Sequence, residues 1–405
     1  MPARPAGAAS MLAAHNKHLE SIAKVVNRAQ GLQESRKTLR LLRKAQRDIE
    51  TLETLLSSRD SIDHLLHLRG AAAAHYIEYL DEMVGATSTR LELRRRCLDI
   101  LRKMCKASRT FPKSFYLTTG TLRQKGNRPE EAGGFAEIWK GEHLGGEVAV
   151  KVFYGYGSST SSERMEAVFN EAVIWKHLNH DHIAPFVGID NDLFPLSLVC
   201  KWMPNGTIIQ YLSRFPSAHR LDLLIGIAKG LQYLHELDIL HGDLKGGNIL
   251  IDARGAARLA DFGLAALGHA DKLTTRSISA CSARWTAPEL FDPEKFGHAR
   301  SELSRSSDVY SFAMVAWEVF TGRRPFHTWN HQGTVYVQIL KGTRPQRPLA
   351  ATPLGLSDAV WDLMEHCWGA DPQARPVVSD VLCNLQSISS SLPRSMLPET
   401  WPLEL

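Results

Sequence analysis

Apolar residues in the first quarter of the chain recur at intervals of three, four and seven. Leu12, Leu19, Ile22 and Val26 form one stripe; Leu42, Ala45, Ile49, Leu52 and Leu56 form a second; Leu91, Leu98, Leu101 and Cys105 form a third. At 3.6 residues per turn each set falls on one face of a helix. Gly31, Gly70 and Gly85 are the natural breaks. Amphipathic helices cannot hide such stripes alone, so the spacing predicts an all-α bundle over residues 1–110. A dimerising coiled coil is the competing reading, for which the heptad run from 42 to 56 is short.

The period changes to two at Val148 to Phe153, where VAVKVF puts a β-branched residue at every second position. That alternation predicts a strand with Ala149 and Lys151 on one face. Met165 to Leu178 returns to helical spacing. Between bundle and strand, Pro112, Gly120, Gly126 and Pro129 mark residues 111–128 as a linker into the first strand. The proline-punctuated end, SLPRSMLPETWPLEL, reads as a flexible tail over 391–405.

Composition bounds the class. A chain of 405 residues, 44% hydrophobic and 22% charged, is that of a soluble globular protein with more than one core. Six cysteines at 97, 105, 200, 281, 367 and 383 contain no CxxC pair, so reduced intracellular thiols and no zinc site are expected. No apolar run is long enough for a transmembrane span and no signal core opens the chain, which points to a cytoplasmic protein, with a nuclear one as the alternative. Charge is uneven. Residues 1–110 hold 20 Lys and Arg against 12 Asp and Glu, net +8, and the remainder is net −3. Arg94 to Arg96, with Arg90, Arg102, Lys103 and Lys106, would suit an acidic protein partner or an anionic membrane surface. A solvated helix face is the favoured reading. The run lacks interleaved aromatics and no nucleic-acid motif accompanies it.

The chemistry is concentrated further on. HGDLKGGNIL, His241 to Leu250, is followed by DFG at Asp261 to Gly263. Together they offer a carboxylate to take a hydroxyl proton (Asp243), a cation for a phosphate (Lys245) and two hard oxygen ligands suited to Mg²⁺ (Asn248 and Asp261). A lone DFG is a chance turn; the order of several motifs is not. This stretch resembles the catalytic loop of eukaryotic protein kinases, and the resemblance extends over about residues 117–390. Lys151 on its strand resembles the family's phosphate-binding lysine, and Glu171 in MEAVFNEAVIWKHL its ion-pair partner. SARWTAPEL resembles the end of the activation segment. Glu289 then matches the family's partner for Arg375, and Asp308 in SSDVYSF the residue that holds the catalytic-loop backbone.

The resemblance implies an α+β, two-lobed kinase fold over 117–390, with a β-rich small lobe and a helical large lobe, behind the bundle. It implies ATP and Mg²⁺ as cofactors, with Asn248 and Asp261 as metal ligands. The nucleotide cradle would comprise Gly133, Gly134, Phe135 and Ile138, with Ala149 and Lys151, the hinge residues Cys200, Lys201 and Met203, and Leu250 as floor. DLKGGN and Ser282 follow the serine/threonine pattern, while RWTAPE, DVYSF and the Cys367–Trp368 pair are shared with the tyrosine-kinase-like group. Protein serine and threonine side chains are the implied acceptors.

Three positions depart from the pattern. In EAGGFAEI only Gly133 of the three loop glycines survives, with Glu131 and Ala136 in place of the others, which favours weaker nucleotide binding. Gly242 replaces the arginine that would receive an activation-loop phosphate, so activity independent of loop phosphorylation is expected, although Thr274, Thr275, Ser277 and Ser279 are available as sites. Ala313 replaces a helix glycine. The rival to an active enzyme is a nucleotide-sensing switch or pseudokinase-like scaffold acting through the basic bundle, a layout that resembles mixed-lineage kinase-like pseudokinases in architecture alone. The complete set of Lys151, Glu171, Asp243, Asn248 and Asp261 argues for the enzyme.

Overall fold

A computed structural model describes residues 49–87, 89–133, 136–153, 162–262, 266–267, 283–391 and 400–404. The chain divides into two compact units between Thr110 and Phe111.

The first unit is helical: α1 (49–57), α2 (Arg59–His67), α3 (Gly70–Gly85) and α4 (Leu91–Ser108). Ser58 caps α2, its hydroxyl accepting the Ser61 N–H, and α2 and α3 both pack on α4. Leu52, Leu56, Leu98, Leu101 and Cys105 of the expected stripes are buried, with Tyr76, Ile77 and Leu80 of α3 added. Leu91 is 45% exposed, and Leu93 takes the buried place instead. The stripes from 12 to 45 lie outside the described residues. The basic run is engaged within the unit. Arg90 pairs with Glu53, Arg96 with Glu92, and Arg102 and Lys103 share Asp99, while Arg94 donates to the Ala86 carbonyl. The run is not one solvated face: Arg90 and Arg96 are exposed, Arg94, Arg95, Lys103 and Lys106 half-buried, and Arg102 is 5% exposed.

The second unit opens on an antiparallel sheet in the order β1-β3-β4-β6-β5, with β2 paired to β3. Its strands are β1 (Leu122–Lys125), β2 (Glu131–Ala132), β3 (Ala136–His143), β4 (Gly146–Phe153), β5 (Phe186–Asp190) and β6 (Ser197–Lys201). Val148, Val150 and Val199 form a core with Leu122 on one side, where Trp139 and Phe194 cover them. The alternation that buries these valines turns Ala149 and Lys151 to the opposite face. There Ala149 lies opposite Cys200, and Lys151 opposite both Ile138 and Leu198. Helix α5 (Ser162–Lys176) packs on β5.

The rest is mainly helical: α6 (Ile208–Arg214), α7 (Arg220–Glu236), α8 (Pro288–Phe291), α9 (Arg305–Thr321), α10 (Gln332–Leu340), α11 (Asp358–Cys367) and α12 (Val378–Ser391). Two short two-stranded antiparallel sheets accompany them, β7 (Ile239–Leu240) with β10 (Ala266–Leu267), and the hairpin β8 (Ile249–Ile251) with β9 (Ala257–Leu259). Helix α9 is apolar almost all round and, apart from the half-buried Ser311, buried from Ser307 to Thr321, as a central helix must be. Ser304 and Ser307 close a reciprocal cap at its start, and Gly322 ends it at φ 72°, where a side chain would be strained. Ala313 is fully buried in this helix and serves packing.

The segment expected to be a flexible tail has a packed end. The Leu403 N–H donates to the Thr321 carbonyl at 2.9 Å, and Leu403 is 3% exposed. The Trp401 ring lies 4.7 Å from the buried Arg220 guanidinium. A Cβ on Gly322 would come within 2.9 Å of Trp401 and Pro402, so the glycine also makes room for this contact. Among the described residues no helix is long and apolar enough to cross a membrane.

Candidate active site

Two hydrogen-bonded clusters meet between the sheet and the helices. In the first, Lys151 Nζ donates to Glu171 Oε1 at 2.7 Å and to Asp261 Oδ1 at 2.9 Å. Strand β4 delivers the lysine, α5 the glutamate, and the turn after β9 the aspartate, which sits at φ 63°. That strained backbone at a non-glycine residue belongs with a site whose surroundings over-determine it. Burial alone would lower the Lys151 pKa, but Asp261 and Glu171 outweigh it and hold the ammonium charged. Burial would likewise raise Asp261, and the Lys151 charge brings it below the usual carboxylate range.

The second cluster surrounds Asp243. Its Oδ2 accepts from Lys245 Nζ at 2.6 Å and from Asn248 Nδ2 at 3.0 Å, and the same amide nitrogen donates to the Asp243 carbonyl at 2.8 Å. Burial raises the Asp243 pKa against the pull of Lys245, a shift that suits a base. Asn248 ends a single 3₁₀ turn, Gly246–Asn248, and with its nitrogen committed to Asp243 its oxygen is the atom left for a cation. The loop is held from beneath. Asp308 Oδ2 accepts from the His241 N–H and from His235 Nε2, both at 2.9 Å, and Oδ1 from the Gly242 N–H at 3.0 Å. Gly242 has φ 77°, a conformation glycine adopts without the strain an arginine would carry.

The remaining expected positions are less uniform. Gly133 is exposed and its N–H donates to the Ala136 carbonyl at 2.9 Å, while a Cβ there would meet only ordinary contact at 3.6 Å. Gly134, Phe135, Ser282 and the four hydroxyl residues from 274 to 279 lie outside the described residues. Cys200 and Met203 are buried, and Lys201 is exposed with its N–H on the Pro185 carbonyl. Leu250 is half-buried between the fully buried Ile249 and Ile251, the alternation expected of a strand with one side on a cleft.

Sequence reasoning missed Glu318. This α9 carboxylate is 5% exposed and its Oε2 accepts from the Gly246 N–H and from Trp285 Nε1, both at 2.9 Å. It ties the loop bearing Asp243 to the segment before α8. The glycine is required by close approach: a Cβ on Gly246 would lie 2.7 Å from the carboxylate carbon. The available signal was a single charge inside the apolar run AMVAWEVF, since a buried carboxylate must find donors. Burial pushes Glu318 up from 4.5 to about 7, against its two donors. The folded state therefore holds this proton more tightly, and the stability so gained is full below about pH 4.5 and lost as pH rises through about 7. Glu318→Gln keeps an acceptor and cannot titrate. Urea unfolding from pH 5 to 8 should show the wild type losing on the order of 3 kcal/mol relative to this variant. Parallel pH profiles would contradict the assignment.

The family described as protein tyrosine and serine/threonine kinase matches residues 130–385. Similar proteins in Arabidopsis thaliana include the probable serine/threonine-protein kinase SIS8, 29% identical over 67% of this chain and 25% of its own length. Serine/threonine-protein kinase STY46 is 29% identical over 64% of this chain and 43% of its own, and CTR1 30% over 64% and 31%. The chain belongs to the protein tyrosine and serine/threonine kinase family. It spans less than half the length of these relatives.

Proposed function

We propose that the protein is a serine/threonine kinase that moves the γ-phosphoryl group of ATP to hydroxyls of other proteins, inside the cell. The observation that carries this reading is the joint placement of Lys151, Glu171 and Asp261 beside Asp243, Lys245 and Asn248. Asp243 orients the acceptor hydroxyl and takes its proton. Lys151, held by Glu171, binds the inner phosphates, and Lys245 offsets charge on the phosphoryl group in flight.

ATP and Mg²⁺ fit the donor set. Asp261, whose carboxyl is held below the usual range by Lys151, and Asn248 supply the hard oxygens that Mg²⁺ prefers. Bound Mg²⁺ would neutralise the phosphate oxygens. The adenine is assigned to the face carrying Ala149 and Ile138, with Cys200, Lys201 and Met203 at its edge, Leu250 below, and Gly133 toward the phosphates; Gly134 and Phe135, expected beside it, lie outside the described residues. Gly242 contributes no cation for a loop phosphate, so activity should survive phosphatase treatment; its collapse would remove that part of the proposal.

Calorimetric ATP titration tests the site. Affinity should rise at least tenfold with Mg²⁺ over EDTA and fall in Lys151→Met. Binding indifferent to the metal would instead favour a nucleotide-sensing switch.

A further inference from the structure

The residues that follow the helical unit, read above as linker, are a built part of the second unit. Phe115 is fully buried and Phe111 is 4% exposed. Phe111 stacks on Phe169 of α5, with ring centroids 4.3 Å apart. Phe115 lies 5.8 Å from Phe111, and edge-on to His177 at 5.9 Å and to Phe186 of β5 at 6.4 Å. Lys176 Nζ donates to the Ser114 carbonyl at 3.0 Å and stands over the Phe115 ring. The Leu117 N–H then donates to the Ile189 carbonyl at 2.9 Å, running the segment along β5. Gly188 permits this approach, since a Cβ there would lie 2.4 Å from Leu117 Cδ2 and 3.0 Å from the Phe115 carbonyl.

Helix α5 is thereby gripped on two faces. Phe169 and Lys176, two turns apart, meet the lead-in segment. Glu171 and Trp175, one turn apart, share the other side. Trp175 Nε1 donates to the Ala184 carbonyl at 2.6 Å, and its ring lies 5.5 Å from Phe186 and 5.8 Å from Phe262. Phe262 is in turn 5.5 Å from His241 of the catalytic loop. An unbroken series of ring contacts thus runs from Phe111 through Phe115, Phe186, Trp175 and Phe262 to His241. Interiors packed this way transmit displacement, because a shifted ring leaves a void or a clash.

We propose that Phe111 and Phe115 are positioning residues for phosphoryl transfer, acting through Phe169 and Phe186 to hold α5 where Glu171 meets Lys151. The proposal rests on the kinase reading above. The sheet supports α5 along β5, and the segment 111–115 supplies its second support. If that support is lost, α5 is free to roll, and a roll of one residue, about 100°, would take Glu171 away from the lysine.

The test uses the full chain with Phe111→Ala, Phe111→Leu and Lys176→Met, reading kcat, KM for ATP, thermal stability, and amide exchange over 166–177. Phe111→Ala should lower kcat/KM for ATP at least tenfold and speed exchange in α5. Phe111→Leu should recover to within about threefold of wild type. Adding Phe169→Ala to Phe111→Ala should cost little more than either alone, as expected when two residues act as one contact. Lys176→Met, a surface change that leaves the core intact, should speed the same exchange and lower kcat/KM a few-fold, so the proposal stays testable if Phe111→Ala does not fold. A folded Phe111→Ala with unchanged exchange and kcat/KM, or a drop in melting temperature alone, would overturn the proposal. Should the wild type transfer no phosphate, the kinase reading fails, while the exchange comparison still reads the brace.

Discussion

Asp243→Asn is expected to lower kcat by about three orders of magnitude while leaving the fold and ATP affinity intact. A positioned general base contributes roughly 10²–10⁴ in rate, and no other described carboxylate is placed to take over. Glu171 and Asp261 are both engaged by Lys151. The substitution is isosteric, so Lys245 and Asn248 lose a charge-assisted acceptor but little packing. Steady-state kinetics with a peptide substrate, alongside a melting curve, checks this. Retention of more than a tenth of the wild-type kcat would mean that the proton leaves by another route.

Arg375→Ala is expected to cost about 3–5 kcal/mol of stability, the range for removing one partner of a buried ion pair. Arg375 Nη1 and Nη2 donate to the two Glu289 oxygens at 2.6 and 2.8 Å, and the arginine side chain is wholly buried. It also donates to the Gly369 and Ser306 carbonyls and lies over the Tyr310 ring at 5.1 Å. Removing it strands a buried carboxylate and two carbonyls together. Arg375→Lys should rescue little, because an ammonium cannot reproduce the two parallel bonds. Denaturant unfolding measures both, and a loss below about 1 kcal/mol for the alanine variant would show that the pair is replaceable by water.

The strand with Lys151 and the helix with Glu171 were legible as elements from their local periods, whereas the loop with Asp243, and the roles of all three residues, were legible only through the resemblance of their motifs to the kinase family. Asp308 and the Glu289–Arg375 pair were legible only through the order of motifs, since 86 residues separate the latter two and no periodicity encodes their meeting. What escaped was packing. Glu318 reads as one charge in a helix, and its partners Gly246 and Trp285 come from two other segments. Pro112 and Gly120 marked residues 111–128 as linker, yet Phe111 and Phe115 are core residues whose partners lie more than fifty residues away in α5 and β5. The tail was misjudged for the same reason. Prolines signal irregular backbone, and irregular backbone can still be packed, as Trp401 and Leu403 are. Leu91 erred in the other direction, completing a helical stripe in sequence while staying 45% exposed at the helix start.

The most direct measurement of the central claim is transfer of labelled γ-phosphate from Mg·ATP to a generic basic protein and to the chain itself, with Asp261→Ala as the blank. Incorporation on serine and threonine that disappears in the variant is the predicted result. A folded, ATP-binding wild type that incorporates no label above that blank would contradict it, and would make the altered loop at Glu131 and Ala136 the deciding feature of the site.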